Sequence, residues 1–286
     1  MWIMFAFASA IFAGFTTILV KVGIKDTDSN VATALRTIVV LIFSWIIVFV
    51  AGSQHQIVDI NNKTFIFLIL SGVSTGASWL CYFKALKIGD VNKVSPIDKS
   101  STILAMLMAF FFLGENITLI KIIAMFFIGI GTYMMIQKKE NIGSEHKSKS
   151  WLLYALGSAV FSSLTSILGK VGIEGIDSTL GTAIRTIVVL IMAWIIVFIT
   201  GKQNTISKID KRSLIFLVLS GFATGGSWLC YYRALQTGPA SIVIPIDKLS
   251  ILITVAFSYI FLKEKLDKKS AIGLGLLVLG TLSLLL

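Results

Sequence analysis

Charged side chains inside long apolar runs are the residues of this sequence with chemistry to offer. Arg36, Asp98 and Lys99 interrupt one set of such runs, and Arg185, Asp247 and Lys248 interrupt a second set 149 residues further on. Charge at membrane depth is costly and as a rule faces a partner or a water-filled cavity. These residues therefore predict two ionic clusters, one at each mouth of a cavity, that form and open as gates. The other reading is a static brace, with the cationic stems snorkelling to the headgroups. Lys21, Lys84, Lys170 and Arg233 lie nearer the ends of their runs and fit the brace more readily.

The most specific local pattern is Pro96-Ile97-Asp98-Lys99, repeated as Pro245-Ile246-Asp247-Lys248. A proline within a span removes one backbone hydrogen bond and frees a carbonyl a turn earlier. Such backbone persists in a membrane only where protein or a cavity satisfies it. The apolar Ala240–Ile244 segment predicts that Pro245 lies inside the bilayer, whereas Ser95 can cap a helix with Asp98 at its third position. The neighbouring lysines favour ionised Asp98 and Asp247, which argues against a proton-carrying role.

A second pattern, S-G-x-x-T-G-x-S-W-L-C-Y, occurs from Ser71 and again from Ser220. Gly72 and Gly76, with Gly221 and Gly225, supply small-residue stripes for close helix approach. Thr75, Ser78, Trp79 and Tyr82 share another face at helical spacing. That face predicts a substrate-lining surface, with Trp79 and Trp228 bracketing the midplane and Tyr82 and Tyr231 nearer the mouths. The alternative is aromatic packing in the core or, for Tyr82, at the membrane interface. Glu115 and Glu264 read as solvated acids at helix starts, and Trp2 and Trp151 as interfacial anchors.

What must position these residues is a duplicated membrane domain. Residues 1–137 and 150–286 align without a gap, with 60 identities over 137 positions. The composition is 56% apolar and 14% charged, too apolar for a soluble protein. A membrane helix needs about 20 mostly apolar residues. The first repeat supplies five runs, Trp2–Val22, Asn30–Ala51, Thr64–Leu86, Val91–Leu113 and Thr118–Ile136, and the second supplies the same five. The expected architecture is all-α, ten transmembrane helices in two five-helix repeats, 1–137 and 150–286, joined by the polar linker 138–149.

Five spans per repeat is an odd number, so repeats that fold alike must be inserted in opposite senses. Counted with Lys21 and Lys84 at the helix ends, seventeen basic residues face one side and four the other, and basic loops stay cytoplasmic. Lys25 and Lys87 become Glu174 and Gln236, while Ser53 and Asp59 become Lys202 and Lys208. The charge count thus places both termini outside and the linker inside. Inverted repeats let two halves exchange conformations, turning an outward-open cavity into an inward-open one.

Other chemistries find no support. His55 and His146 have no acid or cysteine at metal-ligand spacing, and no Walker A lysine loop occurs, so neither a metal nor a nucleotide cofactor is expected. The formal charge of +11 is scattered between apolar runs rather than gathered in a patch for nucleic acid. Cys81 and Cys230 sit in apolar runs and predict no disulfide. Met1 runs at once into a full apolar stretch, so no cleavable leader is expected.

Two five-helix repeats, TALRT and TAIRT near the start of the second helix, and a fourth helix ending FFLGE or IFLKE resemble the EamA family of the drug/metabolite transporter superfamily. The resemblance spans nearly the whole chain. It implies a ten-helix basket with helices one to four and six to nine around a cavity, in the cytoplasmic membrane. It also implies a small polar, amino-acid-like substrate, exported without ATP, and no enzymatic activity. Ten-helix members usually keep both termini in the cytoplasm, and here the charge count says otherwise. The competing function is a flippase for a lipid-linked or amphipathic substrate, whose phosphate the cationic clusters could meet. Oligomeric state is left open.

Overall fold

A computed structural model describes residues 1–23, 27–88, 94, 97–135, 150–261, 263 and 267–286, and all regular structure among them is helical. The first half contributes α1 (Trp2–Gly23), α2 (Ser29–Val50), α3 (Asn62–Ile88), α4 (Ser101–Leu113) and α5 (Leu119–Met134). The second contributes α6 (Ser150–Gly172), α7 (Ser178–Ile199), α8 (Lys211–Thr237), α9 (Ala240–Lys248), α10 (Ser250–Phe261) and α11 (Lys268–Ser283). The linker 138–149, Ser95, Pro96 and Glu264 lie outside the described residues.

Local chemistry sets the helix ends. Asp28 and its mate Asp177 accept first-turn N–H groups of α2 and α7 at 2.9 and 2.8 Å, and so start both helices alike. Gly52 and Gly201, again mates, terminate the same two helices in left-handed backbone at φ 69° and 66°, where a side chain would be strained. Each then leads into a short 3₁₀ turn, Ser53–Asp59 or Gln203–Lys208.

Among the described residues, seven stretches are long and apolar enough to cross a bilayer: α1, α2, α3, α6, α7, α8 and the run from α9 into α10, Ala240–Phe257. α5 is apolar but shorter. Large apolar side chains such as Phe111, Phe126, Leu153 and Phe198 stand exposed on the outer surface, as lipid-facing residues do. The span after Ala240 is interrupted. Pro245 is buried within α9, and the helix yields at Leu249, whose N–H turns back to the Ile246 carbonyl at 2.9 Å.

The two halves are interleaved. α1 packs along α8 and α6 along α3, α2 faces α7, and α5 faces α11. Exchanging the halves maps each of these contacts onto its counterpart. Glycine permits the closest ones: a Cβ at Gly72 would lie 2.7 Å from Val188 Cβ, and one at Gly221 would lie 2.6 Å from Val39 Cβ. At the α5–α11 seam, a Cβ on Gly131 would lie 2.5 Å from the Gly273 carbonyl oxygen. Where lipid removes the hydrophobic drive between helices, such close backbone approach is what holds them together.

Candidate functional site

The polar interior is built from pairs of repeat mates. On α7, Arg185 is buried at 3% exposure. Its Nε donates to Ser71 Oγ at 2.9 Å and its Nη2 to Thr75 Oγ1 at 2.5 Å, both on α3. Ser71 in turn donates to the Thr165 carbonyl of α6 at 2.7 Å. The guanidinium carbon lies 5.3 Å from the Trp228 ring and 5.0 Å from that of Tyr232, where the ring faces attract a cation. Tyr232 reaches this position because Gly169 has no side chain: a Cβ there would stand 2.6 Å from the tyrosine ring.

The mate site is built differently. Arg36 on α2 is half-buried, and among the described residues its guanidinium has no hydrogen-bond or ion-pair partner. Ser220 and Thr224, which correspond to Ser71 and Thr75, donate to the Leu217 and Ser220 carbonyls of their own helix at 2.8 and 2.7 Å, and Thr224 Oγ1 lies 3.2 Å from Thr16 Oγ1 of α1. Gly169 is replaced by Val20 and Tyr232 by Phe83.

The two aspartates, by contrast, are held alike. Ser158 of α6 donates to Asp98 Oδ1 at 2.7 Å, and Ser78 donates to the Ser158 carbonyl at 3.1 Å. Ser9 of α1 donates to Asp247 Oδ1 at 2.6 Å and lies 3.2 Å from Ser227 Oγ. Both Ser9 and Ser158 are fully buried. Lys248 stands 3.6 Å from Asp247 and keeps 51% of its side chain exposed, and Lys99 is exposed as well.

Sequence reasoning placed Thr75, Ser78, Trp79 and Tyr82 on one lining face. Thr75 and Ser78 are buried in helix contacts, one holding Arg185 and the other Ser158. Trp79 packs among Val31 and Ala34 of α2 and Ala193 and Val197 of α7. Tyr82 packs beside Ala85 and Ala155, and the Tyr231 hydroxyl lies 2.8 Å from Ser166 Oγ. Of the four aromatics predicted to line the path, Trp228 lies under a cation, that of Arg185. Ser9, Ser158, Ser71 and Tyr232 escaped the sequence reading, although Ser9 and Ser158 are identical mates, a signal that was available.

Glu115 requires a correction. It is not a solvated acid, for only 11% of its side chain is exposed. It accepts the N–H of Ala240 and, at 3.0 Å, that of Ser241, together with the Ser241 hydroxyl. Lys170 stands 3.6 Å away and donates to the Gly238 carbonyl at 2.6 Å. The open N–H groups at the start of α9 draw the carboxylate in. A loop of the first half is thereby latched to a helix start of the second. Trp2 likewise lies against Gly238, where a Cβ would be 2.6 Å from the indole.

The sequence signature of the EamA-like transporter family matches residues 1–137 and again 149–286. The chain belongs to that family. EamA proteins are transporters and not enzymes, and this one is a membrane-type helical protein like them. An uncharacterized transporter of a Sinorhizobium species is 45% identical over 137 residues, which cover 48% of this chain and 97% of the relative. An uncharacterized transporter of Archaeoglobus fulgidus is 24% identical over 286 residues, 99% of this chain and 98% of its own. A solved protein structure shares the EamA fold seen here at a TM-score of 0.80 and 14% identity, over 100% of this chain and 98% of that one.

Proposed function

We propose that this EamA protein is a secondary transporter that exports a small polar, amino-acid-like metabolite across the cytoplasmic membrane by alternating access. Its architecture on this reading is ten transmembrane helices in two inverted five-helix repeats, 1–137 and 150–286, with both termini outside. The observation that carries the reading is the paired set of cross-half contacts, Ser158–Asp98 matched by Ser9–Asp247 and Gly72–Val188 matched by Gly221–Val39. Contacts that map onto each other when the halves are exchanged are what two interconverting conformations need. Trp79, Tyr82, Trp228 and Tyr231 line the substrate path, and Thr75 and Ser78 support it from beneath. Arg36, Asp98, Lys99, Arg185, Asp247 and Lys248 form the ionic set that gates it.

Counterflow in reconstituted vesicles tests the activity. Vesicles preloaded with a metabolite pool should accumulate at least one labelled amino acid above protein-free vesicles; failure across the pool removes the reading. Orientation is tested by cysteines at Ser53 and Ser144 in intact cells. An impermeant reagent should label position 53, and labelling of 144 alone reverses the topology.

One observation favours the flippase as a second reading. An apolar cleft of about 390 Å³ opens between α1, α2 and α8, lined by Phe12, Phe15, Phe43 and Phe222. The same vesicles, given labelled phospholipid in one leaflet, would show transfer between leaflets only if that reading holds.

A further inference from the structure

The 3₁₀ turn Gln203–Lys208 joins the end of α7 to the start of α8, both long enough to span a bilayer, so it lies at the level of the lipid headgroups. Ile206 and Ile209 pack against Val31 and Ala34 of α2 and Ala193 and Val197 of α7. With these two anchored, Lys202, Lys208, Lys211 and Arg212 all stand exposed. Asp210, the acid of this segment, is committed to the first N–H groups of α8. Among the described residues none of the four cations is in an ion pair. The mate turn, Ser53–Asp59, differs: Ser53, Asp59 and Asn62 stand where Lys202, Lys208 and Lys211 do. α8 leaves this face and the run from α9 into α10 returns to it, which brings Lys263, Lys268 and Lys269, all exposed, to the same face. Lys263 holds left-handed backbone at φ 54°, where its mate Gly114 has 65°. A lysine is strained there and a glycine is not, so the second half carries this cation at an energetic cost.

We propose that the segment Lys202–Arg212, with Lys263, Lys268 and Lys269 on the same face, is a docking surface for the headgroups of anionic phospholipids. The lipid phosphate lies at the depth where these ammonium and guanidinium groups stand. Each Lys or Arg held near an anionic leaflet adds about fivefold in affinity. The seven mate positions in the first half carry one cation, Lys63, and it lies 4.0 Å from Glu174. Docking is therefore confined to the second half, and ties α7 and α8 to one leaflet while α2 and α3 have no such tie. The surface is independent of what the transporter carries.

The test uses the full-length protein in detergent micelles, titrated with phosphatidylglycerol or phosphatidylcholine of identical acyl chains. Native mass spectrometry counts the lipid retained. Wild type should prefer phosphatidylglycerol, and the preference should shrink as salt rises. Lys208→Gln should weaken phosphatidylglycerol about fivefold, and the quadruple variant Lys202→Gln, Lys208→Gln, Lys211→Gln and Arg212→Gln should lose most of the preference. The paired change Lys84→Gln and Lys87→Gln, at exposed cations of α3, should keep it. The triple variant Lys202→Arg, Lys208→Arg and Lys211→Arg should keep it as well, which makes the loss one of charge and not of fold. A wild type indifferent to the headgroup overturns the surface, and so does a preference unchanged in the quadruple variant. An equal loss in the Lys84 and Lys87 variant reduces the effect to total charge and overturns it too. Displacement of the lipid by millimolar inorganic phosphate would mark a site for free phosphate and overturn the lipid assignment. If the quadruple variant fails to fold, wild-type affinity in Lys208→Gln alone overturns the surface.

Discussion

The two arginines of the second and seventh helices occupy mated positions yet live in different surroundings. Arg185 is enclosed by Ser71, Thr75, Trp228 and Tyr232, whereas Arg36 stands half-buried with no hydrogen-bond or ion-pair partner among the described residues. Two substitutions separate the sites. Gly169 leaves space for a ring where the other half has Val20, and Tyr232 takes the place of Phe83. Duplication therefore gave the molecule two copies of one arrangement, and divergence at small residues set a tyrosine ring over the arginine in only one of them. A charge that the protein itself satisfies must give up those contacts before it can move, while an uncompensated one is available to something else.

The largest expected effect separates the arginines. Arg185→Gln forfeits two hydrogen bonds from a charged donor and two cation–ring contacts, and should lower stability by about 2–4 kcal/mol. Arg36→Gln should stay within about 0.5 kcal/mol of wild type. Reversible unfolding in mixed micelles measures both, and equal losses would erase the contrast. Next in size is Gly169→Val, which gives the second half the residue of the first. Displacing the buried Tyr232 ring should cost about 1–3 kcal/mol, and Val20→Gly no more than about 1 kcal/mol of helix propensity. A well-tolerated Gly169→Val would show that the ring does not depend on that gap.

The aspartates should behave alike. Asp98→Asn and Asp247→Asn each weaken one serine contact of nearly equal length, 2.7 and 2.6 Å, so their costs should agree to within about 0.5 kcal/mol of one another. Their effects on access should oppose: on the proposed topology, a cysteine at Thr75 gains exposure to the inside in the first variant and to the outside in the second. Shifts in one direction would leave the aspartates as braces.

The smallest effect sets the two cap residues apart. Asp210 accepts the Arg212 and Ser213 N–H groups at the start of α8, and its mate Asn61 accepts the Thr64 N–H at the start of α3. Hydrogen bonding, chiefly from Ser213, holds Asp210 below the usual carboxylate range. A depressed carboxyl contributes stability above its unfolded pKa and loses it as pH falls through the folded one. Acidification below about pH 4 should therefore speed amide exchange at the start of α8 and leave the start of α3 unchanged. Hydrogen exchange read by mass spectrometry would detect it, and parallel acceleration at both starts would contradict the cap assignment.

The apolar helices and the duplication were legible because they rest on local pattern, apolar runs and a fixed repeat offset, whereas the caps at Asp28 and Asp177 went unread. The glycine stripes at Gly72 and Gly221 were legible for the same reason. Partner identity was not. A repeat offset reports which residues correspond, and is silent on whether α1 packs on α3 or on α8. Ser9 and Ser158 looked like ordinary small residues of apolar helices until the fold set an aspartate from the other half beside each. Glu115 read as a loop acid because the helix start it caps lies 125 residues further on. The distinction between Arg36 and Arg185 hung on a glycine against a valine, a difference with no visible charge or periodicity.

Interleaving also has a consequence for how the molecule is made. While residues 1–137 emerge from the ribosome, almost everything they will pack against has yet to be synthesised. α1 waits for α8, α3 for α6 and α5 for α11. Insertion and assembly are thus separated in time, and the early helices must hold Ser9, Arg36 and Thr75 in the bilayer without their final neighbours. The seam between α5 and α11 cannot close until α11 has followed the other ten helices named above out of the ribosome. A nascent chain that stops short of α11 leaves the glycine groove at Gly131 without the backbone that fills it, a late defect felt in the middle of the polypeptide.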